Sequence, residues 1–442
     1  MCTKTRFSVL LILMLSVAIS FTACDEYISD EPEATGNITT IETTNDSGNR
    51  ETTNDSGDRE TTNADLGSNG LAFQPLSGGT CYISGIGICT DSDISIPEVI
   101  DGYQVTGIGE KAFYNCASIT SITIPDSITS IGNSVFFGCS SLKNITISRS
   151  TISIGDYAFY KCTNLKSITI PDSITSIGKS AFEECTSLES VYIQSLEAWL
   201  NIDFSNHGSN PCINHAKLYV NRALLTEVTI PDNITSLGNY AFYRCSTLES
   251  ITIPESVTSM GSSIFMGCTS LQSIAIPDSV TSIGFGAFSG CTSLQSIAIP
   301  DSVTSIGNFV FDGCTNLVNI TLSNGITSMP QYIFLDCDSL RSITLPNGVA
   351  YITDGLFSDC PNLESVTIPS SVVTIGYGAF SNCTRLTQIS FGGTIQQWLA
   401  ITKKTGYTGG NGVTDSWDYN TGNYVIDCTD GTLNKTAQYL TH

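Results

Sequence analysis

The sequence has few charged residues, and basic ones are the scarcest. Only 13% of its 442 residues are charged, and 18 Lys and Arg stand against 41 Asp and Glu. Phosphate backbones and anionic lipid headgroups repel an acidic surface of this kind. No segment gathers basic side chains into a patch. We therefore expect no nucleic-acid partner.

The sequence also lacks the usual marks of catalysis. It has three histidines, and it contains no phosphate-binding loop of the Gly-x-x-x-x-Gly-Lys-Ser/Thr form, no His-Glu-x-x-His and no Gly-x-Ser-x-Gly. His207, Cys212 and His215 lie close together, but their irregular spacing in a polar segment favours a solvated loop over a zinc site. We predict that the protein is not an enzyme and needs no cofactor or metal.

No apolar run is long enough to favour a membrane span. The longest, Phe7–Phe21, follows Lys4 and Arg6 and ends at Thr22-Ala23-Cys24. A basic start, an apolar middle and a small residue before the cut are typical of a secretory signal. Removing residues 1–23 leaves 16 basic and 41 acidic side chains, a net charge of −25. An ordinary signal peptide with an incidental cysteine is the alternative to the lipid-attachment site considered next.

The segment Phe21-Thr22-Ala23-Cys24 resembles a bacterial lipobox, in which the cysteine is acylated and becomes the first residue. Phe21 departs from the aliphatic residue that is usual there. The resemblance implies lipid attachment at Cys24, with export to the bacterial cell surface or outer membrane and membrane contact through this lipid only. Two acyl chains suffice for stable anchoring.

Residues 24–70 are rich in Thr, Asn, Asp, Ser and Gly, and a nine-residue unit, Glu-Thr-Thr-Asn-Asp-Ser-Gly-x-Arg, recurs within them. Such a composition cannot bury enough apolar surface to offset its ordering entropy. We predict a flexible tether here.

Beyond about residue 110 the chain repeats every 23 residues, a period given by eleven cysteines. They are Cys116, Cys139, Cys162, Cys185, Cys245, Cys268, Cys291, Cys314, Cys337, Cys360 and Cys383. Within a repeat, Leu-x-x-Ile-x-Ile has the alternation of a strand, and Gly-x-x-Ala/Val-Phe-x-x-Cys has the spacing of a short helical turn. One repeat cannot fold alone, so stacked repeats must share one core.

The pattern Leu-x-x-Ile-x-Ile-Pro-x-x-Val-x-x-Ile-Gly-x-x-Ala-Phe-x-x-Cys resembles the BspA-like leucine-rich repeat family of bacterial surface proteins. The resemblance covers roughly residues 81–442. It implies a repeat solenoid, a right-handed coil of short parallel β-strands and short helical turns, and a surface-exposed protein. Several family members are linked to adhesion.

The periodic cysteines are predicted to be buried, because cysteine packs as a small hydrophobe and stacked neighbours have poor geometry for a disulfide. Cys81 and Cys89 lie in a Gly-rich segment that could close as a hairpin bridge, and a free pair is the alternative.

We divide the exported part into an N-terminal cap at 71–110, repeats at 111–390 with an insert at 192–224, and a C-terminal cap at 391–442. The insert and the C-terminal cap share Leu-Glu-Ala-Trp199-Leu and Ile-Gln-Gln-Trp398-Leu, each predicted as a short amphipathic helix with a buried Trp. The loops Asp203–His215 and Lys403–Asn423 are predicted to be exposed, and either packing or partner recognition would explain them.

The predicted function is binding of an extracellular protein or glycan, as in adhesion to host matrix or other cells, by a monomer. The alternative is a structural or immune-display role without a single ligand. Outward strand positions and aromatic loop residues are the candidate contacts. They are Thr252, Gln272, Gln295, Arg341, Thr344, Tyr407, Trp417 and Tyr419.

A row of acids follows the strand prolines: Asp126, Asp172, Asp232, Glu255, Asp278 and Asp301. Solvated carboxylates that bond their own turns are the simpler interpretation, and a divalent cation between coils is the alternative.

Replacing Cys24 tests the anchor. In the bacterial host, the wild-type chain is expected to incorporate a radioactive fatty acid, whereas Cys24→Ser removes the acylated thiol and is expected to leave the chain unlabelled. Equal labelling of the two chains would contradict lipid attachment at this residue.

Overall fold

The computed structural model describes residues 68–408, 414–419 and 421–435. Cys24, the predicted signal peptide and nearly all of the predicted tether lie outside the described residues. Within the described part, no helix has the length and apolar character needed to cross a membrane.

The described chain is a solenoid of about 14 coils with parallel strands and little helix, which confirms the predicted fold class. Most regular coils contribute two short strands on different sides of the solenoid. The first strand follows the Leu of the Leu-x-x-Ile-x-Ile pattern, and we assign it to sheet I. The second strand precedes the Gly of the turn, and we assign it to sheet II. The repeat pattern predicts only the first of these strands.

Most strands of sheet I are parallel to their neighbours and pair in register from one coil to the next, Ser with Ser and Ile with Ile or Val. They form four separately hydrogen-bonded groups and not one continuous ladder. The groups are Asp93–Ser95, Ser121–Thr123 and Asn144–Thr146; Ser167–Thr169, Ser190–Ile193, Lys217–Val220 and Ala223–Leu224; Glu227–Thr229, Ser250–Thr252, Ser273–Ile274, Ser296–Ala298 and Asn319–Thr321; and Ser342–Thr344, Ser365–Ile368, Gln388–Phe391, Val425–Cys428 and Gly431–Asn434.

Sheet II is built mainly from two-residue strands, and it too is interrupted. Its strands are Ala72–Pro75, Thr80–Gly85, Val99–Ile100, Tyr103–Ile108, Ser130–Ile131, Ser153–Ile154, Ser176–Ile177 and Asp203–Phe204; then Ser236–Leu237, Ser259–Met260, Ser282–Ile283 and Ser305–Ile306; then Tyr351–Ile352, Thr374–Ile375 and Thr402–Lys403. A separate hairpin joins Thr405–Thr408 to Thr414–Ser416.

The segment before each periodic cysteine is a series of turns and not the predicted helical turn. In all eleven repeats the residues five and one positions before the cysteine have positive φ, for example Ser134 at 53° and Gly138 at 69° before Cys139. Left-handed residues at this spacing are incompatible with an α-helix. The turn N–H groups bond instead to the next coil, as from Phe136 N to Ala158 O at 2.8 Å.

Two ladders fill the core beside these turns. The phenylalanines three residues before the cysteines stack from coil to coil with ring centroids 5.2–5.7 Å apart. In nine of the eleven repeats the cysteine thiol donates to the carbonyl of the phenylalanine in the preceding coil, at 3.0–3.2 Å. This confirms that the periodic cysteines are structural, since buried carbonyls need a donor and the thiol provides one.

The long interval between Cys185 and Cys245 contains one irregular coil and not a loop outside the array. Its strands Asp203–Phe204 and Lys217–Val220 continue sheets II and I, respectively. Cys212, which the spacing alone left out of the series, is fully buried, and its thiol contacts that of Cys245. Ser209 takes the place of the stacked phenylalanine and donates to Gly178 O at 2.8 Å.

Helices occur where the two Trp motifs predicted them. Helix α1 spans Leu196–Leu200 with Ser195 as N-cap, and α2 spans Ile395–Ala400 with Thr394 and Gln397 forming a capping box. Trp199 and Trp398 are buried, as predicted. Two 3₁₀ turns, His207–Ser209 and Pro211–Asn214, complete the irregular coil.

Antiparallel hairpins occur at both ends of the repeat array. Ala72–Pro75 pairs with Thr80–Gly85 at the N-terminal end, and Val425–Cys428 with Gly431–Asn434 at the other. Cys81 is buried, and both Cys81 and Cys89 are free cysteines in the structure.

The cysteine ladder makes a prediction about thiol chemistry. Burial raises the pKa of Cys139, Cys185 and Cys291 to about 12, so at pH 8 these groups are neutral and inaccessible. Iodoacetamide applied to the native protein should modify the half-buried Cys89, Cys116 and Cys428 first, and the ladder cysteines only after denaturation, as read by peptide mass spectrometry. Labelling of Cys291 as fast as Cys89 in the native protein would contradict this packing.

Candidate ligand-binding face

The outer face of sheet I carries the side chains that alternate with the buried Ile and Val residues. In the middle of the array these are small and exposed: Thr252, Ala275, Ala298 and Thr321. Because each strand repeats the same register, the small side chains line up across neighbouring coils. The result is a continuous, shallow, weakly polar surface.

Five predicted contacts lie on or beside this face. Thr252 and Thr344 point outward from their strands and are exposed. Gln272 and Gln295, also exposed, are adjacent, since Gln295 N donates to Gln272 O at 3.2 Å. Arg341 pairs with Glu364 at 3.2 Å, an exposed ion pair that contributes little to stability.

The structure does not gather the candidate contacts into one site. Thr252, Gln272 and Gln295 belong to one hydrogen-bonded strand group, and Arg341 and Thr344 to the next. Tyr407 lies on the strand Thr405–Thr408 near the C-terminal end, and its side chain lies outside the described part. These candidates therefore mark an extended surface and not a pocket.

The expectation that Trp417 is a surface contact is wrong. It is 0% exposed and packs edge-on against Phe380 and Trp398, extending the phenylalanine stack into the C-terminal cap. An indole at the end of an open stack covers apolar surface that would otherwise contact water. Tyr419, two residues later, is 44% exposed and stays a candidate contact.

Charged side chains stabilise the C-terminal cap around these rings through hydrogen bonds and an ion pair. Lys403 Nζ donates to Trp398 O at 2.9 Å, and burial lowers the pKa of Lys403 to about 8 while nearby Asp418 opposes the shift. Asp418 is nearly buried; it accepts from Tyr424 Oη at 2.6 Å and pairs with Lys435 at 3.8 Å. These contacts account for the conformation of the cap without invoking a ligand.

The predicted loop Asp203–His215 is also not an exposed recognition loop. Asn206, Ser209, Asn210 and Cys212 are buried, and Asn210 Nδ2 donates to Tyr240 O at 2.7 Å. The polar side chains satisfy backbone groups of neighbouring coils, which explains why a polar sequence lies inside.

His207, Cys212 and His215 do not form a metal site. His207 lies beside the Tyr243 ring, with ring centroids 6.0 Å apart, Cys212 is in the core and His215 is exposed at the end of a 3₁₀ turn. Within the described ranges, no group of three or more His, Cys, Asp and Glu side chains is placed to hold a metal ion.

The acidic row bonds the next coil. Asp126 accepts from Ser148 Oγ at 2.9 Å, Asp172 from Ser195 N at 3.0 Å and Asp301 from Asn324 N at 2.9 Å. In these three acids the carboxylate bonds the following coil, and not its own turn as the simpler interpretation expected.

Sequence reasoning missed one feature of the face, a pair of tyrosines. Tyr192 and Tyr219 are cross-strand neighbours in sheet I, with ring centroids 5.1 Å apart and planes tilted by 30°. Both are half-buried and lie on the outer face, next to the buried residues Val191, Ile193 and Leu218. The signal was present, because Ser-Val-Tyr192-Ile has Tyr where the neighbouring repeats have Thr.

One protein family and several solved structures resemble this chain. The family model described as "BspA type Leucine rich repeat region (6 copies)" matches residues 102–209, 215–311 and 282–399. A leucine rich cell surface protein from Faecalibacterium prausnitzii is 30% identical, with 77% of this chain and 97% of that chain covered and a TM-score of 0.49. A leucine-rich repeat protein from Bacteroides ovatus is 27% identical, with 75% and 96% covered and a TM-score of 0.49. No curated protein matches the chain.

Two substitutions distinguish the buried from the exposed aromatic residue in the cap. Trp417→Ala leaves a cavity and should lower the free energy of unfolding by about 3–5 kcal/mol, whereas Tyr419→Ala should change it by less than about 0.5 kcal/mol. Thermal or urea unfolding of the two variants measures the difference. Similar stabilities would show that Trp417 is not part of the core.

Proposed function

Because the chain belongs to the BspA-type leucine-rich repeat family, we propose that it is a bacterial surface protein that binds an extracellular protein or glycan through the outer face of sheet I. The observation that carries this proposal is the exposed, in-register row of small side chains around Thr252, Ala275 and Ala298. A flat surface of this kind has no deep site for a small substrate, but it offers area to a large partner. Binding, and not catalysis, is therefore the role we assign to it.

The placement at the surface is part of the same proposal. Lys4, Arg6 and the apolar run up to Phe21 support export, and Cys24 supports a lipid anchor. A polar tether after Cys24 would hold the solenoid away from the membrane. The candidate contacts Gln272, Gln295, Arg341, Thr344, Tyr407 and Tyr419 extend the proposed surface towards the C-terminal end.

Screening identifies the ligand class. Beads coated with the full chain are incubated with matrix proteins and with glycans, and the retained material is identified. A structural or display protein without a dedicated ligand would retain nothing above a heat-unfolded control, and this result would favour the alternative role.

For a retained ligand, a pair of matched substitutions locates the binding face. Ala298→Trp places a bulky ring in the middle of the outer face of sheet I, where it should separate the ligand from the surface and weaken binding at least about tenfold. Ser305→Trp adds the same ring to an exposed position of sheet II in the next strand and should leave binding unchanged. Equal effects of the two substitutions in a binding titration would contradict the assignment to sheet I.

A further inference from the structure

One short stretch of sheet I differs from the rest of its outer face. Along the row that contains Thr252, the outward residue is Thr, Ala or Ser in most coils, as in the pairs Thr123–Thr146 and Thr344–Thr367. In the irregular coil the row runs from Thr169 to Tyr192, then Tyr219, then Leu224. We call Tyr192, Tyr219 and Leu224 the tyrosine patch.

The tyrosine patch is available to a partner. Leu224 is 38% exposed, and both tyrosines are half-buried. Neither tyrosine hydroxyl has a hydrogen-bond partner among the described residues. The Asn221-Arg222 turn, with φ of 51° and 68°, folds Leu224 back beside Tyr219. The patch therefore offers a partner the apolar faces of two tyrosine rings and two hydroxyl groups that have no hydrogen-bond partner among the described residues.

Basic side chains flank the patch on a strongly acidic protein. Successive backbone bonds place Lys143, Lys166, Glu189 and Lys217 side by side, with N–O distances of 2.9–3.3 Å. Lys166 and Glu189 form an exposed ion pair at 3.3 Å. Lys143, Lys217 and Arg222 are exposed and have no ion-pair partner within the described part of the chain. These four cations and one carboxylate sum to a net charge of +3, although the whole chain carries −23.

We propose that the tyrosine patch and its flanking cations bind a linear polysaccharide that carries carboxylate groups. This inference rests on the proposed function and deepens it by naming the ligand class and the place on sheet I. The apolar C–H face of a pyranose packs on a tyrosine ring, and each Tyr hydroxyl both donates and accepts hydrogen bonds. Lys143, Lys217 and Arg222 bind the carboxylates.

The shape of the face favours a chain of sugars over a single one. Neighbouring strands lie about 4.8 Å apart on a flat surface, so no wall encloses a monosaccharide, whereas a polymer can contact several coils in sequence. Ser190, on the face of Tyr192, and exposed Thr169 and Asn144 add polar groups for sugar hydroxyls. An acidic peptide would use the cations but not the paired rings.

The acidity of the protein does not prevent this contact. At physiological salt the Debye length is about 8 Å, so the distant carboxylates are screened while the adjacent Lys and Arg are not. Binding should therefore weaken as salt rises, since the local attraction is screened as well.

A purely structural role for the tyrosines makes a different prediction. Cross-strand aromatic pairs stabilise sheets by about 0.2–1 kcal/mol. If packing were their only role, replacing them would lower the melting temperature and leave any binding to the folded protein unchanged.

The experiment uses the full chain purified in detergent, titrated with fluorescently labelled polygalacturonate, neutral dextran and poly-L-glutamate. Tyr192→Thr/Tyr219→Thr installs the residue found in the neighbouring repeats, and Lys143→Gln/Lys217→Gln removes two of the three unpaired cations. Tyr351→Ser is the matched control, because Tyr351 is a 54% exposed tyrosine on sheet II at a position where most coils have Ser.

We expect the wild-type chain and Tyr351→Ser to bind polygalacturonate alike, and both double variants to bind it at least about tenfold more weakly at unchanged fold. Equal binding of dextran would overturn the role of the cations, and equal binding of poly-L-glutamate would overturn the assignment to a sugar. Failure to bind any of the three overturns this inference alone, because a matrix protein retained on the beads and displaced by Ala298→Trp would still support the proposed function.

Discussion

Each coil of the solenoid depends on the next because its turn cannot satisfy its own backbone. Two left-handed residues before every periodic cysteine direct the turn N–H groups along the solenoid axis, where the carbonyls of the following coil accept them. The phenylalanine carbonyl in the same turn accepts from the thiol of the following coil. A single coil would leave these groups unpaired in an apolar environment, at a cost of about 1–3 kcal/mol each. Stability therefore belongs to the array.

The same dependence explains how the protein tolerates an irregular coil. Residues 192–224 lack the phenylalanine, but they keep a cysteine at the ladder position, a strand in each sheet and a carbonyl, Gly208 O, for Phe182 N at 3.0 Å. A buried Trp199, donating to Ala241 O at 2.8 Å, connects this coil to the next regular one. In the C-terminal cap, Trp398 and Trp417 extend the ring stack and cover its open end.

A core that is fixed from coil to coil leaves the outward positions of sheet I free to vary. Side chains there make few contacts that stability requires, so small residues, glutamines or tyrosines fit the same backbone. This freedom makes the outer face a suitable place for recognition. A residue there that departs from the repeat is not required by the core, so it points to a role in binding. The tyrosine patch is such a departure, and it lies where the coil spacing is also irregular.

The sequence by itself determined the repeat, its period, the buried cysteines and the two Trp helices, because these depend on local spacing and on a core that every coil shares. Only the tertiary structure placed Trp417 in the core and Cys212 in the cysteine ladder, and only it converted the predicted helical turn into left-handed turns bonded to a neighbour. The reason is the same in each case. The partner that decides the conformation comes from another coil, 22 or more residues away, and no local pattern records which coil provides it. The rows of outward side chains on sheet I follow from the in-register pairing of successive repeats and could be predicted. The pairing of Tyr192 with Tyr219 depended instead on the path of the irregular coil.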